Sequence, residues 1–434
     1  MVDVIIVGAG YGGMSTAALL AHSGLRVLVL EKSPLLGGRA SFYKDDAGYT
    51  WEYGAHSLRL AHKGIANQVF AKLGDEIKFL PKTPDSKLIF NNRLWDRPEG
   101  PLGFLKNPIL SFKSRLLLLL FMAKIRKANP AMWYDETLLS FYQKFTANKE
   151  LETFLGFLGM TIMCADPDKV SAGEVIDFLQ RVLKAGVGVG EPVGGSSQLF
   201  SKLRFHVETR GEIRLNEKVT SIQVEQDRAV GVLTDQSSYT AKWIVFAERL
   251  PLLFDVIAKD LFPQEFVLYC EGIEHSSSLI FDFITDYPAT DINGGILGVD
   301  IPLWARFQSN TDPSFTPHGK HISTWGIMLP WGFDGDPDAV EQTEKRLKIT
   351  ISKTFPHLLP NLVRERKLIV PVMNGNVLTP AQSRPHRPNV KCSSIGGLFF
   401  AGDTVQGEGC SGDISFSSAM KAAEGILEEA GNPG

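Results

Sequence analysis

Cysteine is scarce: four residues in 434, Cys164, Cys270, Cys392 and Cys410, too dispersed for a C-x-x-C pair or a zinc site. So few thiols in so long a chain fit a reducing cytosol. The nine histidines form no metal-ligand spacing such as H-E-x-x-H, and no metal is expected. A formal net charge of −3 leaves no basic footprint, which argues against nucleic acid as a partner. Long apolar runs are missing too. The longest, Leu116–Ala123, has eight residues, far below the ~20 that span a bilayer. The first strand pattern begins near the start of the sequence and leaves no room for a secretory leader, so a cytoplasmic location is expected. No internal repeat, low-complexity tract or flexible linker is visible.

Glycine, by contrast, is abundant. With 41 Gly in 434 residues, chance supplies a sizeable fraction of one G-x-G-x-x-G, so only context gives the motif meaning. Here the context is strong. Val4–Val7 is an unbroken apolar run, as expected of a strand covered on both faces. Gly8 permits a tight turn, Gly10 a close approach to a pyrophosphate, and Gly13 close packing of the next helix on the sheet. Met14–Ser23 reads as that helix, ending at Gly24. Val27–Leu30 repeats the strand pattern, and Glu31, 18 residues after Gly13, stands where a carboxylate accepts ribose hydroxyls. Helix N-terminal amides complete the anion site. The unit predicts a dinucleotide site.

Directly after the acid comes Glu31-Lys32-Ser33-Pro34-Leu35-Leu36-Gly37-Gly38-Arg39, a second glycine pair followed by arginine. This run resembles the flavoprotein family that contains phytoene desaturases, retinol saturases, protoporphyrinogen oxidases and monoamine oxidases. The resemblance implies that Gly-Gly-Arg lines the FAD phosphates and ribityl chain, a role suited to bare amides and a guanidinium. The far end agrees. Gly397–Thr404, an apolar strand breaking into Gly402-Asp403, is similar to the family's C-terminal motif, where the aspartate binds ribityl hydroxyls. After Gly407–Asp413 the spacing predicts a helix from about Ile414 to Ala430. In the family its N-terminus points at the flavin pyrimidine, where reduction gathers negative charge. Asp413 departs from the small or apolar residue the family leads one to expect, and it reads either as an N-cap or as a group beside the ring.

Pro192–Leu199 resembles the family's Pro-x-Gly-Gly turn. Val219 matches the residue whose backbone contacts adenine, and Asn310–Gly319 is similar to a substrate-domain loop. Together the resemblance implies cofactor contacts at Gly8, Gly10, Gly12, Gly13, Glu31, Lys32, Gly38, Arg39, His56, Val219, Gly402, Asp403, Gly412, Asp413 and Ile414. His56, Glu408 and Asp413 are the candidate catalytic groups near the ring, while Cys410 reads as a packing residue.

The implied fold is α/β: a discontinuous Rossmann-type FAD-binding domain (1–65, 190–262 and 366–434) with an inserted α+β substrate domain (66–189 and 263–365). The first insert reads as helical. The second reads as strand-like, with strands expected at Leu268–Cys270, Ser278–Phe283 and Ile322–Met328. Phe154–Met160 is either core or the wall of an apolar tunnel. Phe112–Lys127, apolar between cationic flanks, is either an ordinary substrate-domain helix or a patch resting on the inner face of a membrane.

No second G-x-G-x-x-G follows a strand, so no NAD(P)H domain is expected. Electrons would pass to oxygen, a quinone or a diffusible carrier, or enter from a free donor. Amine oxidases of the family place an aromatic just before the C-terminal helix; here that stretch is Glu408-Gly409-Cys410-Ser411-Gly412. The resemblance therefore favours oxidation or reduction at a carbon–carbon bond of an apolar, isoprenoid-like substrate. Amine oxidation and a non-redox isomerisation on reduced flavin remain the alternatives.

Overall fold

The computed structural model describes residues 2–54, 57–81, 85–98 and 100–431. Its central element is a five-stranded parallel sheet ordered Leu398–Phe400, Trp243–Phe246, Val4–Val7, Val27–Leu30, Gly211–Arg214. Val4 stands opposite both Trp243 and Val27, so segments some 240 residues apart are laid side by side. All four residues of Val4–Val7 and of Val27–Leu30 are buried, which is what helices on both faces demand of their sequence.

The first helix runs Tyr11–His22, three residues earlier than the expected start at Met14. Gly10 is extended and its carbonyl accepts the Met14 amide at 2.9 Å, so Gly12 and Gly13 are helical despite their poor propensity. The reason is close approach. A Cβ on Gly13 would lie 1.9 Å from the Gly8 carbonyl oxygen. Tyr11 then ties three helices together. Its ring lies 5.1 Å from Phe200 in helix Ser196–Glu208 and 4.7 Å from Phe416 in the final helix, Gly412–Glu429.

A second, seven-stranded sheet is ordered Leu362–Val370, Ser278–Thr285, His321–Met328, Leu303–Arg306, Ile296–Gly298, Lys87–Phe90, Arg93–Asp96. The hairpin Lys87–Asp96, from the segment expected to be helical, joins it through a parallel pairing with Ile296–Gly298. At the opposite edge, Leu362–Val370 runs through the expected boundary at 365/366 and pairs with Ser278–Thr285. Helices Phe112–Lys127, Leu138–Phe145, Lys149–Phe157 and Ala172–Ala185 pack around Phe121, whose ring meets Phe141, Tyr142 and Phe145 edge-on.

One expected strand is a helix. Leu268–Cys270 lies within Gln264–Glu271, started by Pro263 and with Glu265 in its first turn. Val267 and Cys270, one helical turn apart, are buried in the same core as Ile5 and Val7. A run of three apolar residues fits either period, and tertiary packing decides. Pro337–Thr354 is another, longer helix inside the strand-like insert, begun by an Asp336 side chain that accepts the Asp338 amide.

Candidate active site

The cradle lies above the carboxyl ends of the parallel strands, the usual place for a ligand in such sheets. Gly8 has φ +100° and carries the turn after Val7. A Cβ on Gly12 would meet Gly402 N at 3.0 Å, so the first and last motifs of the chain touch. Gly10 instead faces open space, its nearest neighbour for a Cβ being the Gly37 carbonyl at 3.9 Å; Gly38 meets only the Gly10 Cα, at 3.7 Å. Space kept clear between two glycine runs, beside the free amides of a helix start, fits a pyrophosphate.

Glu31 is buried. Its carboxylate accepts the Ala9 amide and the Ser33 amide, each at 2.8 Å, and keeps lone pairs for a hydroxyl. Burial raises its pKa, offset only in part by these two bonds. The Glu217 amide donates to the Glu31 carbonyl at 2.9 Å, which brings the strand beginning at Val219 next to the acid. Lys32 is turned to Glu248 at 2.6 Å on the exposed side of the turn.

Arg39 and Asp403 form a two-pronged ion pair at 2.7 and 2.8 Å. Asp403 also accepts the Gly375 amide at 3.0 Å. Burial alone would push this carboxyl up, but Arg39, with Arg249 and the Gly375 amide adding to it, holds Asp403 below the ordinary aspartate value. The family pattern implies separate flavin contacts for these two residues; the structure adds that they hold each other.

The final helix starts two residues before the expected Ile414, at Gly412, with Ser411 at φ 52° as its N-cap. Asp413 is therefore not the cap but lies inside the first turn, where its amide donates to the Cys410 carbonyl at 3.1 Å. Its side chain is buried, and burial pushes its pKa up to about 7 against the opposing pull of Arg59 and Arg181. Burial likewise pushes the Cys410 thiol to about 12 and the Cys164 thiol to about 11, so both stay protonated. Glu408 is not brought into the site. It is half-exposed and ion-paired with Arg181 at 2.8 Å, which holds it below the ordinary glutamate value. His56 lies outside the described residues.

Sequence reasoning missed the other wall. A cavity of about 180 Å³ is lined by Met160, Cys164, His275, Ile327, Met328 and Trp331, among others. Met160 belongs to a short π-helical turn, Leu158–Met163, so the Phe154–Met160 segment divides: Phe154, Leu155 and Leu158 are core, Met160 faces the cavity. A chain of bonds leads from this cavity to the Arg39–Asp403 pair. The Asn374 amide donates to Ser276 Oγ at 3.3 Å, while the flanking Met373 carbonyl and Gly375 amide contact Arg39 and Asp403. His275 Nδ1 lies 3.4 Å from Arg249, and burial with that cation lowers its pKa. The signal for these residues was absent because each is an ordinary core or loop residue locally. A larger surface groove by Asp300 and Lys345 shares Arg346 with this cavity but is lined by none of the cradle residues. Among the described residues no cluster of His, Cys, Asp or Glu is arranged to hold a metal.

The family model described as "Flavin containing amine oxidoreductase" matches residues 11–427, and the chain belongs to that family. Its cofactor is FAD, which the cleared glycine cradle, the hydroxyl-accepting Glu31 and the open helix start all fit. The chain is 26% identical over 284 residues to a 15-cis-phytoene desaturase of Solanum lycopersicum, covering 59% of this chain and 48% of that protein. It thus spans about half the length of that curated relative. It is 24% identical over 470 residues to an L-amino-acid oxidase of Protobothrops flavoviridis, covering 99% of this chain and 90% of that one. A solved oxidoreductase of Methanosarcina mazei shares the fold, with TM-score 0.82 at 19% identity, covering 97% of this chain and all of that one.

Proposed function

We propose that this chain is an FAD-dependent oxidoreductase that moves a hydride between flavin and a carbon–carbon bond of an apolar, carotenoid-like substrate. The observation that carries this reading is the apolar side of the cavity, Met160, Pro302, Ile327, Met328, Leu329, Pro330 and Trp331, in a lining whose Ser276 is bonded to Asn374 of the segment that contacts the Arg39–Asp403 pair. This side of the cavity offers apolar contacts to a substrate, while Asp166, His275, Ser276, Ser277, Thr343 and Arg346 supply the polar remainder of the lining. Its volume suits the reacting segment of a long polyene rather than the whole molecule. The tomato desaturase relative supports the same choice.

Bound FAD supplies the two-electron chemistry. The chain's own groups position and protect. Glu31 and the glycine amides would hold the nucleotide, and the Arg39–Asp403 pair would keep a guanidinium in a fixed place at the site. Asp413 holds or releases a proton near neutral pH at the start of the final helix. The lack of a second nucleotide fingerprint leaves oxygen, a quinone or a diffusible carrier as the electron partner.

Oxidation of an amino acid is the second reading, favoured by Arg346 at the cavity rim and by the relative that spans nearly the whole chain. Against it stands the aromatic-free stretch Glu408–Gly412. Anaerobic mixing of the purified holoprotein with a detergent-dispersed polyene or with L-amino acids separates them. Bleaching of the flavin by the polyene, with a desaturated product, is the expected result. Bleaching by amino acids alone selects the second reading. Product formed only after prior flavin reduction, with no electrons consumed, means an isomerase and overturns both.

A further inference from the structure

The helix Phe112–Lys127 has two apolar faces, and the protein covers only one. Ser114, Leu118, Phe121 and Ile125 are buried. Phe112, Leu116 and Leu120, each four residues on from the last, lie on the opposite side of the helix and are 69%, 44% and 61% exposed. Leu102, on the adjoining helix Gly100–Lys106, is 72% exposed. An outward ridge of bulky side chains of this kind marks an interaction surface.

Charge identifies the occupant. From Gly100 to Tyr134 the sequence contains six Lys or Arg and no Asp or Glu, in a chain whose net charge is −3. Two of the six are used internally. Arg115 donates to the Leu105 and Leu110 carbonyls, and the Lys124 ammonium lies over Phe141 and Phe145. The other four, Lys106, Lys113, Arg126 and Lys127, are exposed around the ridge. We propose that this face docks the protein on an anionic lipid bilayer, with Leu102, Phe112, Leu116 and Leu120 entering the acyl boundary while the four cations meet headgroup phosphates.

Apolar residues rimmed by cations are the composition of an interfacial helix lying in the membrane plane. A second copy of the chain is the poorer occupant, because pairing the same face on itself would set like charges together. No helix of the described residues is long and apolar enough to cross a membrane, so the contact is peripheral. The proposal does not depend on the reaction assigned above.

The test is sedimentation of the holoprotein with vesicles rich in phosphatidylglycerol or made of phosphatidylcholine alone. Binding at least tenfold stronger to the anionic vesicles is expected, together with a tenfold loss in the Leu116→Glu/Leu120→Glu variant. Both positions are exposed, so that variant should keep its bound flavin and its turnover of detergent-dispersed substrate. Wild-type protein that stays in the supernatant with both vesicles overturns the proposal. So does a double variant that still sediments fully, or a wild-type dimer that this variant converts to monomer.

Discussion

Asp403 and Asp413 stand ten residues apart and are equally hidden, 4% and 5% exposed, yet they are opposite in electrostatic character. Asp403 meets Arg39 in a two-pronged pair and stays ionised. Asp413 feels Arg59 and Arg181 without such a pairing, and burial wins. Burial sets the penalty for a charge, while the geometry of the partner decides whether it is met. On the proposed reading, Asp403 would anchor the cofactor end of the site and Asp413 would hold or release a proton near neutral pH.

The sharpest way to break the contrast is Arg39→Ala. It leaves Asp403 buried and unpaired and should cost about 2–4 kcal/mol of stability, somewhat below a fully buried pair because Arg39 is 35% exposed. Flavin should be lost as well. Adding Asp403→Asn should restore much of the stability but not the flavin. Urea unfolding and the flavin-to-protein absorbance ratio read the two effects, and an unchanged Arg39→Ala protein would sink the anchor role.

Asp413→Asn comes next. The Asp413 carboxyl titrates higher folded than its ordinary value near ~3.9 unfolded, so between about pH 4 and 7 the folded state binds the extra proton. Its contribution is present below pH 4 and is lost as pH rises toward 7. Wild-type protein should therefore lose on the order of a few kcal/mol relative to the Asn variant between pH 4 and pH 8. Asp403 has the reverse sign: its low folded value contributes stability above its unfolded value that is lost as acid protonates it. The variant should also lack any inflection near pH 7 in its rate profile. A wild-type profile reproduced unchanged in the variant would deny Asp413 a proton-handling role.

Glu408→Gln should do least. A half-exposed pair with Arg181 contributes about 0–1 kcal/mol, and turnover should stay within about twofold. A large loss of rate would instead place Glu408 at the reacting atoms.

How much of this was readable depended on distance along the chain. The cradle was legible because strand, turn, helix, strand and acid follow one another from Val4 to Glu31, so local rules apply at every step. The identity of Arg39's partner was not, since Asp403 lies 364 residues away. Nor was the cavity, where Met160 on a π-helical turn meets His275 and Trp331 from other segments. Helix Gln264–Glu271 was misread because a short apolar run has no period of its own, and the parallel pairing of Lys87–Phe90 with Ile296–Gly298 has no turn to announce it.

By itself the sequence determined the glycine-rich strand–turn–helix–strand unit, the acid that follows it and the family, because backbone sterics and glycine placement act between neighbours. Only the tertiary structure decided which buried acid keeps its charge, which residues wall the cavity and which leucines face outward. Those outcomes depend on burial and on partners that distant segments supply, and neither quantity exists until the chain has folded.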